Sequence, residues 1–327
     1  MSMWAITGGS GFLGLHLGRR LLHDGHAVRS LDLVPGELRG VEDILGDVRD
    51  PAAAWRLCRG ADVLVHAAAA LPVSGPRRTI RSVNVGGTAA VLAAAAAKGV
   101  RRVVFISSAV VLPRPIEVYG EAKAEAERLC GEFLERGLEV TILRPQAFLG
   151  PERLGAFGIL FRWIAEGRRI YTIGPGSNRY QLLDVDDLVE AILLAAERPV
   201  AAEPLALGAR KFGTVAEDLR ALIEHACSRS VLTPLPARPA RAVLRALDLA
   251  GLSPLSEWHY RTADTDRFVD IGAVERILGW APRFSNRETL ARGYDAYVAS
   301  RPGVLAAGRT HRTAWNEKAL AALRRLS

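Results

Sequence analysis

The chain has 327 residues, of which 49% are hydrophobic and 24% charged, a balance typical of a soluble globular protein with one large or two modest domains. No apolar run is long enough to cross a bilayer, so we expect no membrane span. The first predicted strand begins almost at Met1, which leaves no room for a secretion signal. Cys58, Cys130 and Cys227 lie far apart without metal-ligand spacing. We therefore expect no metal site and a reducing, cytoplasmic location.

The formal net charge of +8 is concentrated near the end of the chain. The segment 301–327 carries six basic residues against Glu317, a net +5. Trp315, Leu320 and Leu323 share one stripe of this segment if it is helical. We predict that this basic tail docks on the protein's own surface or on a second subunit. Nucleic-acid or anionic-membrane binding would need interleaved aromatic residues or a stronger basic run, so neither is expected.

A glycine-rich turn separates the first predicted strand, Met3–Ile6, from a helix with leucines at helical spacing. Gly8 allows a tight turn, Gly11 lets phosphates approach the backbone, and Gly14 lets the helix pack closely on the strand. Free N–H groups at the positive end of the helix dipole suit a pyrophosphate. The residues predicted to hold a dinucleotide at this turn are Gly8, Gly11, Phe12, Leu13 and Gly14.

The second predicted strand, Ala27–Asp32, ends in a carboxylate. An acidic group at this position accepts hydrogen bonds from a free adenosine ribose and repels a 2′-phosphate. Asp32 therefore predicts NAD as the cofactor in preference to NADP.

Strands and helices alternate through about residue 150. This alternation predicts an α/β fold, a Rossmann-type doubly wound parallel sheet whose ligands bind at the carboxyl ends of the strands. The further runs that read as strands are 61–66, 102–106 and 138–143, and those that read as helices are 84–98 and 117–136.

After Pro151 the pattern loosens, and two domains are predicted. Residues 1–150 form the NAD-binding Rossmann domain, and residues 151–327, including the basic tail, form a smaller, mainly helical substrate-binding part. A helix over 184–198 is predicted to return to the first domain. The other helices predicted in the second half lie near 156–166, 214–228, 238–250 and 286–299.

Tyr119 and Lys123 lie four residues apart in a predicted helix and therefore on one face of it. Free tyrosine has a pKa of about 10 and is a poor acid–base group at neutral pH. A nearby ammonium, together with the positive nicotinamide of NAD⁺, favours the phenolate and lowers that pKa. Ser108 follows a predicted strand at the same edge of the sheet and could hydrogen-bond a substrate oxygen. The three residues form the predicted catalytic site.

Together these motifs resemble the extended short-chain dehydrogenase/reductase superfamily, the NAD-dependent epimerases, dehydratases and 3β-hydroxysteroid-type dehydrogenases. The resemblance covers nearly the whole chain apart from the tail. Its motifs are Thr7–Gly14, Gly46–Val48, His66–Ala68, Asn84–Thr88, Ser107–Ser108, Tyr119 with Lys123, Leu143–Pro145, Asp184–Asp187 and Leu278–Pro282. The segment Gly174–Arg179 is more similar to the hydroxysteroid and reductase branch.

The resemblance implies roles for individual residues. Lys123 holds the nicotinamide ribose and tunes Tyr119, and Ser108 polarises the reacting C–O group. Asn84 either helps to order the cofactor cleft or has a purely structural role, and His66 packs at its strand end. The implied cofactor-binding residues outside the glycine turn are Asp47 and Val48 around the adenine, Ala67 and Ala68 along the cleft, and Asn84, Ser107, Tyr119, Lys123 and Pro145.

Departures from the family's patterns narrow the reaction. Ala109 and Val110 stand where dehydratases carry Asp-Glu, which argues against a 4,6-dehydratase. Ala147 stands where nucleotide-sugar epimerases carry a diphosphate-binding asparagine, and Arg179 is displaced by one position from their arginine. Arg261, by contrast, matches a phosphate-binding arginine of those enzymes. Ala147, Arg179 and Arg261 are the predicted substrate contacts.

The leading hypothesis is reversible hydride transfer at a secondary alcohol or ketone carbon of a small molecule. One alternative is a nucleotide-sugar epimerase that forms a transient 4-keto intermediate. Another is a non-catalytic protein that senses NAD(H), although members of that kind usually lose the tyrosine or the lysine that this chain keeps. Relatives often dimerise through the helices bearing Asn84 and Tyr119, so the resemblance also implies a homodimer.

Overall fold

The computed structural model describes residues 1–71, 77–112, 117–153, 155–198, 203–249 and 257–300. The basic tail 301–327, with its predicted helix, lies outside the described residues. The chain divides into two compact units that interleave along the sequence. Unit 1 comprises Met1–Gln146, Val185–Leu207 and Asp270–Ala281, and unit 2 comprises Ala147–Asp184, Gly208–Val269 and the residues from Pro282 on.

Strands and helices alternate along the described residues as follows. The strands are β1 (Met3–Thr7), β2 (Ala27–Asp32), β3 (Val41–Leu45), β4 (Val63–His66), β5 (Arg102–Ile106), β6 (Glu139–Pro145), β7 (Ala147–Leu149), β8 (Ile170–Ile173), β9 (Leu182–Asp184), β10 (Leu205–Leu207) and β11 (Leu232–Leu235). The α-helices are α1 (Phe12–His23), α2 (Pro51–Cys58), α3 (Arg77–Arg81), α4 (Thr88–Ala97), α5 (Val118–Glu135), α6 (Gly155–Ala165), α7 (Val185–Glu197), α8 (Val215–His225), α9 (Ala237–Leu249), α10 (Glu257–Thr262), α11 (Gly272–Leu278) and α12 (Asn286–Ser300).

Unit 1 is built on a seven-stranded sheet in the order β10-β6-β5-β4-β1-β2-β3, with every pair parallel. The predicted Rossmann-type doubly wound sheet is confirmed. Thr7 pairs with His66, which in turn pairs with Phe105, so the carboxyl ends of β1, β4 and β5 lie at one edge. The strand order reverses between β1 and β4, which is where ligands bind in sheets of this kind.

Two edge strands were not among the sequence predictions. In β3 the sequence Val-Glu-Asp-Ile-Leu is mostly exposed, and only Ile44 is buried, so its apolar pattern is weak. The other edge strand, β10, spans Leu205–Leu207 only and follows α7 in the chain. An edge strand needs neither the length nor the continuous apolar run that marks a central parallel strand.

Arginines from the sheet bind the carboxyl ends of two helices of unit 1. Arg29 on β2 donates to the carbonyl oxygens of Leu57 and Arg59 at the end of α2, at 3.2 and 2.6 Å. Arg102 on β5 donates to the Ala195 and Arg198 carbonyls at the end of α7. These bonds satisfy carbonyls that have no partner within the helix. They attach α2 and α7 to the sheet of unit 1.

The predicted alanine-rich helix 84–98 differs from the structure at its start. Residues Ser82–Gly87 form a π-helical segment, and the regular helix begins only at Thr88. A Cβ on Gly87 would lie 2.7 Å from Cγ2 of Val48, so glycine permits the close approach of this segment to the loop after β3. π-Helical segments are frequent at functional sites. The widened turn places the Asn84 side chain toward Ala70.

Unit 2 packs α6, α8 and α12 with two short parallel strand pairs, β8 with β11 and β7 with β9. Phe161 and Leu222 lie in its apolar core. Asn286, at the start of α12, accepts a bond from the Leu182 N–H at 2.8 Å and donates to the Tyr180 carbonyl and the Asp218 carboxylate. A single buried amide thus joins α12 to the strand β9 and to helix α8.

Among the described residues, one helical stretch, Arg77–Ala97, passes a test of length and composition for a membrane span. The stretch joins α3, the π-helical segment and α4 within unit 1. Its polar Asn84 and Thr88 are buried and hydrogen-bonded to other residues of that unit. Such bonding is typical of a core helix rather than of a lipid-facing one.

Candidate functional site

The glycine-rich turn between β1 and α1 has the tight packing that the sequence predicts. Gly8 has a φ of +76°, and a Cβ there would lie 3.0 Å from the backbone of Ala68. A Cβ on Gly14 would lie 2.3 Å from the Gly8 carbonyl oxygen. Phe12 and Leu13 begin α1, and Gly11 is its N-cap. The first N–H groups of a helix have no partner within it, so this turn presents donors suited to a pyrophosphate.

Asp32 lies at the carboxyl end of β2, beside the glycine turn. Its carboxylate accepts the N–H of Ser10 at 3.0 Å and the N–H of Leu33 at 2.7 Å. Burial raises the pKa of Asp32, and these backbone bonds act against the rise. A carboxylate has about four acceptor sites, so sites remain for a ribose hydroxyl.

Asp47 lies after β3 and is bound on both carboxylate oxygens by Arg49. The Arg49 Nε donates at 2.9 Å to one oxygen and its terminal nitrogen at 2.5 Å to the other. This side-chain bond lowers the pKa of Asp47. Arg49 also donates to Ser82 at 3.1 Å. Arg49 was missed in the sequence analysis, although an acidic and a basic residue two positions apart in a turn are a readable signal.

His66 links β1, β4 and α4 through a chain of buried hydrogen bonds. Thr7 Oγ1 lies 2.7 Å from Nδ1 of His66, and Nε2 lies 3.0 Å from Thr88 Oγ1. Thr7 Oγ1 accepts the N–H groups of Ala67 and Ala68, both at 3.1 Å, so its hydrogen goes to Nδ1. Thr88 donates its own hydrogen to a carbonyl and therefore accepts from Nε2. His66 is thus the neutral Nε2–H tautomer, as its expected packed role requires.

Burial, together with the smaller effect of the Lys123 ammonium, lowers the pKa of His66 to about 3. The ring therefore stays neutral at physiological pH. Thr7 Oγ1, bonded to Nδ1 of His66, accepts the N–H groups of Ala67 and Ala68 beside the glycine turn, where the resemblance places the cofactor cleft. The cofactor contacts of Val48, Ala67 and Ala68 stay predictions.

Asn84 has both ends of its amide bound to one residue. Its Oδ1 accepts the Ala70 N–H at 2.8 Å, and its Nδ2 donates to the Ala70 carbonyl at 3.0 Å. The side chain is buried. This pairing fixes the loop after β4 against the π-helical segment, and a role of Asn84 in the cofactor cleft stays a prediction.

Tyr119 and Lys123 lie one turn apart on α5. The Lys123 side chain is 2% exposed, and its Nζ donates to the Ile106 carbonyl at 2.8 Å, where β5 ends. Nζ also lies 4.9 Å from the centroid of the Phe105 ring. Burial lowers the pKa of Lys123 from 10.5 to about 8. Tyr119 is half-buried and packs against the cluster of Ala70, Ile80 and Ala122.

Ser107 and Ser108 follow β5 and have different surroundings. Ser108 is half-buried, and its Oγ accepts the Val110 N–H at 3.3 Å, which leaves its own hydrogen available to a substrate oxygen. Ser107 is buried and donates to Glu127 at 2.5 Å. Its hydroxyl hydrogen is thus directed at a carboxylate of the protein. The predicted place of Ser107 in the cofactor cleft stays a prediction.

Glu127, one turn after Lys123, was missed in the sequence analysis. Arg144 binds it with two bonds, Nε at 2.8 Å and a terminal nitrogen at 2.5 Å. Two features of the sequence could have indicated Glu127. A glutamate four residues after a lysine shares its helix face, and Arg144 belongs to the Leu-Arg-Pro motif. Pro145, the last residue of β6, is buried and pairs with Leu207.

The predicted substrate residues belong to unit 2. Ala147 is half-buried at the start of β7. The exposed Arg179 has its guanidinium 4.5 Å from the Phe212 ring and 5.0 Å from the Phe268 ring. Arg261 is exposed and pairs with Glu257 on its own helix at 3.3 Å. Their contacts with substrate stay predictions.

The parallel sheet, with a glycine turn after β1, has the arrangement of a dinucleotide-binding α/β fold. Residues 4–208 match the model of the NAD dependent epimerase/dehydratase family, and the chain belongs to that family. The predicted membership of the extended superfamily, and with it an enzyme of the dehydrogenase, reductase or epimerase kind, is confirmed.

Two sequence relatives cover most of the chain. It is 33% identical to uncharacterized protein y4nG of Sinorhizobium fredii, over 97% of this chain and 84% of that protein. It is 28% identical to the 3 beta-hydroxysteroid dehydrogenase/Delta 5-->4-isomerase of Mycobacterium tuberculosis, over 90% of each. The structure of UDP-glucose 4-epimerase from Thermotoga maritima superposes with a TM-score of 0.78 at 22% identity, over 92% of this chain and 100% of that one. That likeness shows the shared fold.

Proposed function

We propose that this protein is an NAD-dependent dehydrogenase or reductase that acts at a secondary alcohol or ketone carbon, with Ser108, Tyr119 and Lys123 as its catalytic residues. The observation that carries the proposal is the anchoring of Lys123. Lys123 lies one helical turn after Tyr119, and its buried Nζ donates to the Ile106 carbonyl at the end of β5. Ile106 is two residues before Ser108. The phenol of Tyr119, the ammonium of Lys123 and the hydroxyl of Ser108 therefore belong to the same edge of the sheet.

In the oxidative direction, the Tyr119 phenolate takes the hydroxyl proton of the substrate while the carbon gives up its hydride. Bound NAD⁺ supplies the hydride acceptor. The Lys123 ammonium stabilises the phenolate and offers a donor to the nicotinamide ribose. Ser108 donates to the substrate oxygen and stabilises the negative charge that develops there during reduction.

We propose NAD rather than NADP as the cofactor. Side chains at residues 8 and 14 would clash with backbone atoms, so the turn requires glycine at both positions. Turns that bind a pyrophosphate have this requirement. Asp32, at the end of β2, would repel a 2′-phosphate. Replacing Asp32 by Asn should reduce the ratio of the NAD affinity to the NADP affinity about tenfold to a hundredfold, because the variant loses a charged hydrogen-bond acceptor. Asp24→Asn is the matched control, since Asp24 lies at the opposite end of α1 from the glycine turn and pairs there with Arg20 at 2.7 Å.

The proposed substrate is an apolar alicyclic alcohol or ketone rather than a nucleotide sugar. Ala147 offers no side-chain hydrogen bond to a diphosphate, and Arg261 is engaged by Glu257. Arg179 is packed against two phenylalanine rings. The mycobacterial relative, whose name gives a hydroxysteroid substrate, supports the same class. We also propose a cytoplasmic location, which the buried, unpaired Cys58 and Cys130 support.

The test offers the purified protein NAD⁺ with alicyclic secondary alcohols, including 3-hydroxysteroids, and separately with UDP-sugars. We expect NADH to accumulate with the alcohols, and Tyr119→Phe to abolish this turnover while NAD⁺ affinity is kept. Conversion of a UDP-sugar to its epimer without net NADH would show the epimerase instead. Turnover that survives in Tyr119→Phe would remove Tyr119 from the mechanism.

A further inference from the structure

The proposed catalytic Lys123 has two further charged side chains in its neighbourhood, Glu127 and Arg144. Lys123 and Glu127 lie on α5, and Arg144 lies on β6. The side chains of Glu127 and Arg144 are 8% and 18% exposed. Burying charges is unfavourable unless they are paired and hydrogen-bonded. Glu127 and Arg144 meet this condition through their two bonds to each other, and Lys123 through its bond to the Ile106 carbonyl.

The Glu127 carboxylate is the centre of the group. One oxygen accepts the Ser107 hydroxyl and Nε of Arg144, and the other accepts a terminal nitrogen of Arg144. Ser107 directly follows β5 and Arg144 lies near the end of β6, so the carboxylate fastens α5 to the ends of both strands. Tyr119, Lys123 and Glu127 are spaced by four residues and share one helix face.

We propose that Glu127 is a positioning residue for the reaction: it keeps Lys123 in its charged form and fixes the helix that carries Tyr119 against the strand that leads to Ser108. This inference rests on the proposed function, because it gives the charge on Lys123 a role in catalysis.

Burial lowers the pKa of Lys123, and Cys130 and Glu127 act against that effect, but of these two only Glu127 is a carboxylate. Cys130, on the same helix, has its pKa raised to about 12 by burial and is a neutral thiol. His66, from β4, is neutral because its pKa is lowered to about 3. Arg144, from β6, is positive. With a pKa near 8, Lys123 would lose its proton close to neutral pH, and the Glu127 carboxylate acts against that loss.

The test measures the charge of Lys123 directly. The chain has four lysines, Lys98, Lys123, Lys211 and Lys318, so lysine labelled with ¹³C at the ε carbon gives few NMR signals. The Lys123 signal is assigned by its loss in Lys123→Met. We expect wild-type Lys123 to titrate near pH 8, and Glu127→Gln to lower its pKa by about one unit or more.

Glu125→Gln is the matched control. Glu125 lies on the same helix and pairs with Arg81 at 2.7 Å, but the Arg81 side chain is 64% exposed, so this pair should leave the Lys123 titration unchanged. Because an unpaired buried Arg144 could unfold Glu127→Gln, the double variant Glu127→Gln/Arg144→Met is measured as well. It should again lower the pKa of Lys123 relative to Arg144→Met alone.

An unchanged Lys123 titration in Glu127→Gln, or in the double variant measured against Arg144→Met, would overturn the proposal. Once a substrate is found, the alkaline limb of its kcat profile should move to lower pH in Glu127→Gln, with KM at pH 6.5 little changed. The NMR titration needs neither substrate nor turnover. The two tests are therefore independent. The substrate test can give no turnover while the NMR titration shows the effect of Glu127 on Lys123, and turnover can occur while the titration shows no such effect.

Discussion

The Cβ position of residue 14 lies 2.3 Å from the carbonyl oxygen of Gly8. No side chain fits there unless the backbone of the turn moves, because real Cβ contacts are never so short. Close packing of α1 on β1 therefore depends on a hydrogen at this position. The same packing aims the first N–H groups of α1 at the place predicted for the pyrophosphate.

We expect Gly14→Ala to lower NAD⁺ affinity at least tenfold and to destabilise the protein by about 1–3 kcal/mol through overpacking. Gly131→Ala is the control, because nothing lies within 4 Å of that Cβ position on α5. It should stabilise the protein by about 0.5–1 kcal/mol, since alanine favours a helix over glycine. Calorimetric titration with NAD⁺ and urea unfolding measure both effects. Equal responses of the two variants would contradict this account of the turn.

Much of unit 1 could be predicted from the sequence because its signals are local. The glycine turn, the acid at Asp32 and the spacing of Tyr119 and Lys123 each lie within one strand, turn or helix. Glu127 has a local relationship to Lys123, but its partner Arg144 is distant in sequence. Only the parallel pairing of β5 with β6 brings that arginine to the carboxylate.

The sequence predicts the return of one helix, 184–198, to the first domain, but it does not predict that β10 and α11 also belong to unit 1. The chain leaves unit 1 at residue 147 and returns to it with α7 and α11. The apolar face of a helix shows that it packs against something, but does not identify the partner. In the structure, α7 packs on the sheet of unit 1, and Arg102 on β5 donates to carbonyls at the end of α7, more than ninety residues away in sequence.

Arg102 gives a prediction about α7. Replacing Arg102 by Met should destabilise the protein by about 1–3 kcal/mol, because it leaves the buried Ala195 carbonyl and the partly buried Arg198 carbonyl without their donor. The neighbouring Arg101 is exposed, so Arg101→Met is the control with little expected effect. Amide hydrogen exchange should rise in the last turn of α7 in the first variant alone. Uniform exchange rates across all three proteins would show that the helix end is held in another way.

His66 gives a prediction about acid stability. Its pKa is about 3 in the folded protein and about 6.5 in an unfolded chain, so between these values only the unfolded state takes up the proton. The free energy of unfolding should therefore fall as pH falls below 6.5, by up to about 1.4 kcal/mol per unit, and this contribution should be constant above it.

In His66→Asn this pH dependence should be lost, whereas His225→Asn, which removes an exposed histidine paired with Asp295, should keep the wild-type slope. Urea unfolding from pH 4.5 to 7.5 measures the slopes. A His66→Asn curve parallel to that of the wild type would mean that the ring does not stay neutral in the folded protein.

Ser107 and Ser108 provide the sharpest separation of structure from catalysis, because they are adjacent and carry the same chemical group. Ser107→Ala removes a buried bond to Glu127 and should lower the free energy of unfolding by about 1–3 kcal/mol. Ser108→Ala removes a hydroxyl whose one described bond, at 3.3 Å, is weak. Stability should then change little, while kcat should fall about a hundredfold or more for any alcohol that the substrate test shows to be turned over.

The two variants are compared by urea unfolding and by initial rates at saturating NAD⁺. Ser107→Ala should retain most of its turnover at pH 6.5, because Glu127 keeps its charge and its two bonds to Arg144. If Ser107→Ala were the inactive variant and Ser108→Ala the unstable one, the roles assigned to the two hydroxyls would be exchanged. Equal losses of turnover would mean that the substrate oxygen is not held by Ser108 alone.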